Sequence, residues 1–322
     1  MITGPGREQK MKKEHTIKPI FSAYKEFKEK NSVTDAEILQ FNYPGNPDVY
    51  NPSIPFISDG MEVMACRVQK RNERDSFIAF FKKTGNKYEP IPDTPSLPLE
   101  DPFVTVINNE IVLGGVHVEW SGSRALFWQT KFYKGSSIYD LKHFADGPVH
   151  MKDIRLLELN DGRIAVCTRP QGKTILEKYG CIAKIGFTIV ADLSSLTPDV
   201  IEAAPFIDDI FLPDEWGGVN QMYNLPDGSI GAIGHISYRT GIEYEGLLHY
   251  YCAAFKINPT NLETTPAVII CSRDCFPGTE SREPRLYDVT FCAGITNENG
   301  KTFIYTGLSD CQIGRARIPY PF

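Results

Sequence analysis

Five short polar residues stand at comparable places along the chain, each where an apolar run begins. They are Asn51, Asp101, Asp153, Asn220 and Asp288. A proline follows Asp101, which disfavours helical backbone and predicts an extended, stiff strand start. A carboxyl group held rigidly in a concave site can have a raised pKa and act as a general acid. Asn and Asp also favour turns, so an active site and a set of turn residues both remain open. Strand alternation predicts that the preceding Glu100 points the other way.

Basic and aromatic residues cluster near these positions. The basic ones are Arg67, Lys152, Arg169, His235 and Arg239, and the aromatic ones are Tyr50, Trp120, Trp128, Trp216 and Tyr238. Arg and Lys around a polar pocket suit phosphate or another anion, although each can equally be a lone surface charge. Aromatic faces can line a carbohydrate site or simply pack in the core. No metal site is predicted, because "GGVHVEW" lacks a second histidine at ligand spacing, and no nucleophile elbow, P-loop or dinucleotide-binding motif is present.

Short β-branched and aromatic runs, separated by Gly, Asn, Asp and Pro, must position these residues. One pattern occurs five times: a polar residue, an apolar run, a hairpin turn and a second apolar run. The polar residues of successive copies are 50, 52, 67 and 68 residues apart. Repeats of this length with four short strands predict an all-β fold, a five-bladed β-propeller. In a propeller the five polar side chains would converge on one channel mouth. A two-sheet sandwich is the alternative fold.

Two helices are predicted, over residues 21–31 and 197–205, the second with Thr197 as cap and Pro198 at its first position. Residues 1–15 are polar and predict a flexible tail, and residues 16–322 a single catalytic domain. Eight cysteines without metal-site or disulfide spacing predict buried thiols in a cytoplasmic protein. The net charge of −6 disfavours nucleic acid as a partner, and no apolar run is long enough to cross a membrane.

At this point longer motifs carry a resemblance to known families. "LEDPFVTVINNEIVLGG" is similar to the Glu-Asp-Pro strand of glycoside hydrolase family 130, the five-bladed β-mannoside phosphorylases and mannosidases. "DVYNPSIPF", "EWGGVNQMYNLPDGSIGAIGHISY", "LYDVTFCAGI" and "GLSDCQIGRARIPYPF" resemble the family called domain of unknown function 1861, from about residue 35 to the C-terminus. The characterised members of that family are the mannosyltransferase-phosphorylases of glycosyltransferase family 108.

The resemblance implies an inverting phosphorylase or transferase that moves mannose between mannose 1-phosphate and a β-1,2-linked oligomannoside. Asp101 matches the general acid of the motif, which in the wider group is thought to act through a sugar hydroxyl. Phosphate attacks the anomeric carbon as co-substrate, so no cofactor is implied, and oligosaccharides and sugar phosphates are the implied partners. The implied substrate-binding residues are Asn51, Arg67, Asp153, Asn220 and Asp288, and the implied phosphate-binding residues are Lys152, Arg169, His235 and Tyr238. Phe103 departs from the pattern, since the phosphorylases usually carry Arg there.

Two other functions remain open on the same fold. A hydrolase would need a carboxylate base to activate water in place of the basic cluster. A non-catalytic carbohydrate-binding propeller would not need Asp101.

Overall fold

The computed structural model describes residues 18–30, 32–122, 124–207, 210–241 and 246–322. Most of this part of the chain is β-strand, which confirms the all-β prediction. The predicted tail, residues 1–15, lies outside the described residues. The helices are α1 (Ile20–Lys30), α2 (Lys173–Tyr179) and α3 (Pro198–Glu202), with short 3₁₀ turns at Leu193–Ser195, Arg273–Cys275 and Pro284–Leu286.

The strands pair in antiparallel groups. β1 (Thr34–Ile38) is added to the last group, described below. Group 1 contains β2 (Asp48–Pro52), β3 (Phe56–Ser58), β4 (Met61–Gln69), β5 (Ser76–Thr84) and β6 (Lys87–Pro90). Group 2 contains β7 (Glu100–Ile107), β8 (Glu110–Ser121), β9 (Arg124–Gly135) and β10 (Lys142–Val149). Group 3 contains β11 (Arg155–Glu158), β12 (Ile164–Thr168), β13 (Ile185–Val190) and β14 (Phe206–Ile207).

The last two groups are joined into one eight-stranded sheet. Group 4 contains β15 (Trp216–Asn224), β16 (Ile230–Thr240), β17 (Leu247–Ile257) and β18 (Val268–Cys271). Group 5 contains β19 (Asp288–Glu298), β20 (Lys301–Leu308) and β21 (Gln312–Ile318), with β1 at its edge. A short parallel pairing of β17 with β19 joins the two groups.

The first strands of the groups form a closed series. β2 contacts β7, β7 contacts β11, β11 contacts β15, β15 contacts β19, and β19 contacts β2 again. Apolar cores fill the spaces between neighbouring groups, because strands such as β12 are buried on both faces. The cores pair, in order, Ile78 with Leu113, Val112 with Val166, Phe187 with Ala232, Ile233 with Ile304, and Tyr305 with Phe81. The side chains at one end of these first strands are therefore brought together.

Both predicted helices are present. α1 begins one residue before the predicted start and buries Ile20 and Phe27. The buried Glu215 carboxylate accepts a hydrogen bond from the Ile20 backbone N–H at 2.7 Å, which fixes the start of the helix. The Thr197 side chain caps α3 by accepting from the Val200 N–H, with Pro198 at the first helical position. Seven of the eight cysteines are buried and Cys275 is half-buried.

Candidate active site

β-bulges in the first strands coincide with three of the predicted polar residues. The register of β2 with β4 slips around Asn51, that of β7 with β8 slips around Asp101, and that of β15 with β16 slips around Asn220. Asn51 and Asp101 have φ values of 43° and 50°. Asn and Asp tolerate this left-handed conformation better than most residues. The backbone at Asp101 is therefore left-handed, whereas Pro102 had predicted an extended one.

Asp101 is buried and held by two donors. Asn51 Nδ2 donates to Asp101 Oδ1 at 2.8 Å, and Arg67 Nη1 donates to the same oxygen at 3.2 Å. Burial raises the pKa of Asp101, but Arg67, Lys152 and the Asn51 hydrogen bond outweigh it and hold that pKa below its usual value. The Asn51 side chain sits against Gly307, where a Cβ would lie 1.9 Å from Asn51 Oδ1. The carboxylate of Asp101 is thus ionised at neutral pH in the free protein.

Glu100 shares Arg67 with its neighbour, which contradicts the expectation that it points away. Arg67 Nη2 lies 2.9 Å from Glu100 Oε1, because the bulge breaks the strand alternation at this point. Burial raises the pKa of Glu100, and Arg67 opposes this rise without cancelling it. The guanidinium of Arg67 also lies over the Tyr50 ring, 5.0 Å from its centroid. Arg67 therefore bridges both carboxylates and is itself fixed by packing.

A second ion-pair group surrounds Asp153. Its Oδ2 lies 2.5 Å from Arg169 Nη2 and its Oδ1 lies 3.5 Å from Arg155 Nη2. Asp153 has a left-handed φ of 58°, like Asn51 and Asp101. Burial raises its pKa, but the charges of Arg169, Lys152 and Arg155 outweigh burial and hold the pKa well below its usual value. This carboxylate is a fixed negative charge and cannot donate a proton.

Asn220 and His235 form the next contact along the series. His235 Nδ1 and Asn220 Oδ1 are 2.7 Å apart. Burial, followed by the positive charges of Arg169 and Lys152, lowers the pKa of His235 to about 3 although Asp153 opposes this. The imidazole is therefore neutral. Since an amide oxygen only accepts hydrogen bonds, Nδ1 carries the proton and Nε2 is left as an acceptor.

Lys152 lies between these groups without an ion-pair partner. It is half-buried, and its charge acts on the pKa values of Asp101, Asp153 and His235. Within the described ranges, no carboxylate oxygen lies within 4.0 Å of its ammonium nitrogen. A cation close to several anions but bonded to none is suited to hold an incoming anion.

Two predicted residues lie apart from this site. Asp288 Oδ2 is 2.6 Å from His249 Nδ1 and accepts from the Tyr251 hydroxyl at 3.0 Å. Tyr238 stacks on His249, with ring centroids 4.4 Å apart. The bulge in β19 falls between Cys292 and Gly294 rather than at Asp288, so Asp288 is out of step with Asn51, Asp101 and Asn220. Four of the five polar residues therefore belong to the site, and Asp288 does not.

The sequence pattern did not predict two charged residues of the site. Asp310 lies in the β20–β21 turn, and burial raises its pKa to about 6 although Arg67 opposes the shift. Arg155 donates through Nε to the Asn220 carbonyl at 3.0 Å, and its guanidinium lies over the Phe103 ring at 4.8 Å. Phe103 is thus a buried packing residue beneath Arg155. The "GLSDC" motif contains Asp310, but this residue lies in a hairpin turn and does not open a strand.

Several buried polar atoms of the site lack a hydrogen-bond partner among the described residues. They include Asn51 Oδ1, Arg169 Nε and Asn220 Nδ2. Buried polar groups normally find partners, so these atoms favour a polar ligand. No group of three or more candidate metal ligands occurs in the described ranges. In the same ranges, no helix has the length and apolar character needed to cross a membrane.

Fold and site together define a mostly β protein in which the strand groups present a buried, densely charged site. The chain belongs to the family described as "Protein of unknown function (DUF1861)", which matches residues 25–322. The family predicted from the sequence motifs is therefore confirmed. No curated protein is similar enough to this chain to count as a match.

Three solved structures illustrate the similarity. MPT-4, a mannose phosphorylase from Leishmania mexicana solved with a phosphate ion, is 35% identical over 94% of this chain and 93% of its own, with a TM-score of 0.86. MPT-1, a GDP-Man-dependent mannosyltransferase from the same organism, is 35% identical over 94% of each chain, with a TM-score of 0.84. The β-1,2-mannobiose phosphorylase of Listeria innocua is 14% identical over 90% of this chain and 94% of its own, with a TM-score of 0.58. That last likeness concerns the fold alone.

Proposed function

We propose that this protein is an inverting β-1,2-mannoside phosphorylase and mannosyltransferase with Asp101 as its proton donor. The observation that carries the proposal is the pairing of buried Asp101 with Asn51 and Arg67 beside the unpaired Lys152. A carboxyl group beside an anion site is what phosphorolysis requires. The similarity to a mannose phosphorylase and a GDP-Man-dependent mannosyltransferase of Leishmania mexicana supports it. We also propose that the five strand groups are the blades of a five-bladed propeller.

The proposed reaction is a single displacement at the anomeric carbon of a terminal mannose. A phosphate oxygen forms the new bond to carbon 1 on one face while the glycosidic C–O bond breaks on the other. The proton of Asp101 passes, through a sugar hydroxyl, to the departing oxygen. In the synthetic direction the ionised Asp101 accepts the proton of the acceptor hydroxyl. The low pKa of Asp101 in the free protein suits this second role.

The other residues divide into two proposed roles. Asn51, Arg67, Asp153 and Asn220 hold the mannose hydroxyls, since their unpartnered atoms and charges lie at the site. Lys152 and Arg169 supply the positive charge for phosphate. His235 is neutral, and its free Nε2 suits a hydroxyl donor or a protonated phosphate oxygen.

The test is phosphate dependence. The protein is incubated with β-1,2-mannobiose, with and without inorganic phosphate, and separately with mannose plus mannose 1-phosphate or GDP-mannose. We expect mannose 1-phosphate only when phosphate is present, and chain extension from at least one donor. Release of mannose at the same rate without phosphate would refute the phosphorylase.

A hydrolase is the second candidate, and Asp310 is the observation that favours it. Its carboxyl group acts on the same cation, Arg67, and repels Asp101. An inverting hydrolase needs a second carboxylate to activate water. Phosphate-independent release of mannose that is abolished by Asp310→Asn would establish this alternative.

A further inference from the structure

The β8–β9 hairpin extends past the site. Glu100, the first residue of β7, lies opposite Val116 in β8. β8 and β9 stay paired for five further residues, to Ser121 and Arg124. At ordinary strand rise this is about 17 Å. We call residues 117–122 and 124–129 the projecting hairpin.

The projecting hairpin carries an unusual number of partly exposed aromatic side chains. Trp120, Phe127 and Trp128 are all half-buried rather than packed away. His117 pairs with Phe127 at a centroid distance of 6.1 Å, and His150 packs against Trp128 at 4.5 Å. A surface of this kind on a strand pair beyond the edge of the core adds little to folding.

Strand pairing connects this surface to the reacting groups. Val116, the residue before the projecting hairpin, lies opposite Glu100, and Glu100 shares Arg67 with Asp101. On the other side, the His150 backbone N–H donates to the Trp128 carbonyl at 2.7 Å. His150 is two residues before Lys152 in sequence. The projecting hairpin therefore begins beside residues of the site.

Polar groups accompany the rings. Glu119 is 65% exposed and lies 3.6 Å from His117 Nε2, and His150 is also exposed. Flat rings beside carboxylate and imidazole groups match a sugar, which has apolar C–H faces and a rim of hydroxyls. A protein partner would instead require a larger contiguous apolar patch.

We propose that the projecting hairpin binds the acceptor oligosaccharide beyond the reacting residue. Phe127 and Trp128 lie on opposite faces of the hairpin, His150 contacts both rings, and the two rings act as stacking platforms that set the preference for longer chains. This rests on the proposed function, because it places the sugar chain that the site would extend or shorten. The hairpin is long enough to contact more than one sugar residue. Mannose alone would not reach it.

The test compares Phe127→Ala and Trp128→Ala with wild type, using β-1,2-mannotetraose and mannose as probes. Tyr139→Ala is the matched control, since Tyr139 is 46% exposed in the β9–β10 connection at the opposite end of the same group. Calorimetric titration gives the Kd of mannotetraose, and transfer from mannose 1-phosphate gives KM and kcat for both acceptors. If one of the two variants does not fold, the other still tests the proposal.

We expect both variants to weaken mannotetraose binding and raise its KM about tenfold, with kcat and the KM for mannose unchanged. The control stays like wild type. Unchanged mannotetraose binding in both variants would overturn the proposal, and so would equal losses with mannose and mannotetraose. If wild type binds mannotetraose but transfers nothing, the proposed function fails. The titration alone then decides the inference.

Discussion

Replacing Asp101 with asparagine keeps the shape of the side chain and removes only its ability to carry a proton. The carbonyl oxygen of the new amide can still accept from Asn51 and Arg67, which lie 2.8 Å and 3.2 Å from Asp101 Oδ1 in the wild type. Arg67 also keeps Glu100 as a partner at 2.9 Å. The variant should therefore fold, and the buried guanidinium stays paired.

The expected loss follows from the role of the proton. General acid–base catalysis by a positioned side chain contributes about 10²- to 10⁴-fold, equivalent to a barrier increase of about 3–5 kcal/mol. We expect Asp101→Asn to lower kcat by that factor in both phosphorolysis and synthesis. Phosphate binding should persist or tighten, because one negative charge near Lys152 is removed.

The assay is mannose 1-phosphate release from β-1,2-mannobiose at saturating phosphate, with phosphate affinity measured by calorimetry. Glu100→Gln is the control, since it removes the neighbouring charge from the same Arg67 but leaves the proposed donor intact. That variant should stay within about tenfold of wild type, the loss of one charged contact. An Asp101→Asn protein with kcat within about tenfold of wild type would refute Asp101 as the proton donor.

Two further predictions concern charges around Asp101. Lys152→Met should raise the KM for phosphate about 10- to 100-fold, because one charge-assisted contact is lost; initial rates at varied phosphate measure this KM. The control Lys142→Met, at an exposed site, should leave the KM unchanged. Equal KM values for the two variants would show that Lys152 does not bind phosphate. Because burial raises the pKa of Asp310 to about 6 in the folded protein, above the ordinary value of about 3.9, its ionisation destabilises the fold as pH rises through about 4 to 6. In urea unfolding at pH 7, Asp310→Asn should therefore have a free energy of unfolding higher than that of wild type by up to about 3 kcal/mol. This stabilisation should vanish at about pH 4, and a stabilisation independent of pH would contradict the raised pKa of Asp310.

The sequence repeat predicted the all-β fold because its apolar runs mark the buried strands. Each copy alternates apolar runs with turn residues, and these runs became the strands whose cores fill the spaces between groups. α2 (Lys173–Tyr179) was missed because it has only seven residues and buries none of them, so it is too short to show the apolar period of a core-facing helix. Only Gly180, a left-handed residue after its last turn, marked its end.

The site was predicted less completely, and bulges explain the difference. The place of Asp288 in the sequence repeat predicted that it would join the other four polar residues, but the bulge of β19 lies several residues later. A bulge shifts which residue faces inward without leaving a clear mark in the sequence. Asp310 was missed for a different reason. Its charge acts on Arg67 from the β20–β21 turn of group 5, because β20 and β21 pack against β2.

In the proposed reaction, the charges of the site would link phosphate binding to the protonation of Asp101. In the free protein Arg67 and Lys152 keep this carboxyl ionised, which is the wrong state for a proton donor. A phosphate dianion beside Lys152 offsets that positive charge and must raise the pKa of Asp101. By reciprocity, protonation of Asp101 must strengthen phosphate binding by the same factor. The proposed acid is thus protonated more readily once the nucleophile is in place, so a carboxylate with a low pKa in the free protein is compatible with its role in phosphorolysis.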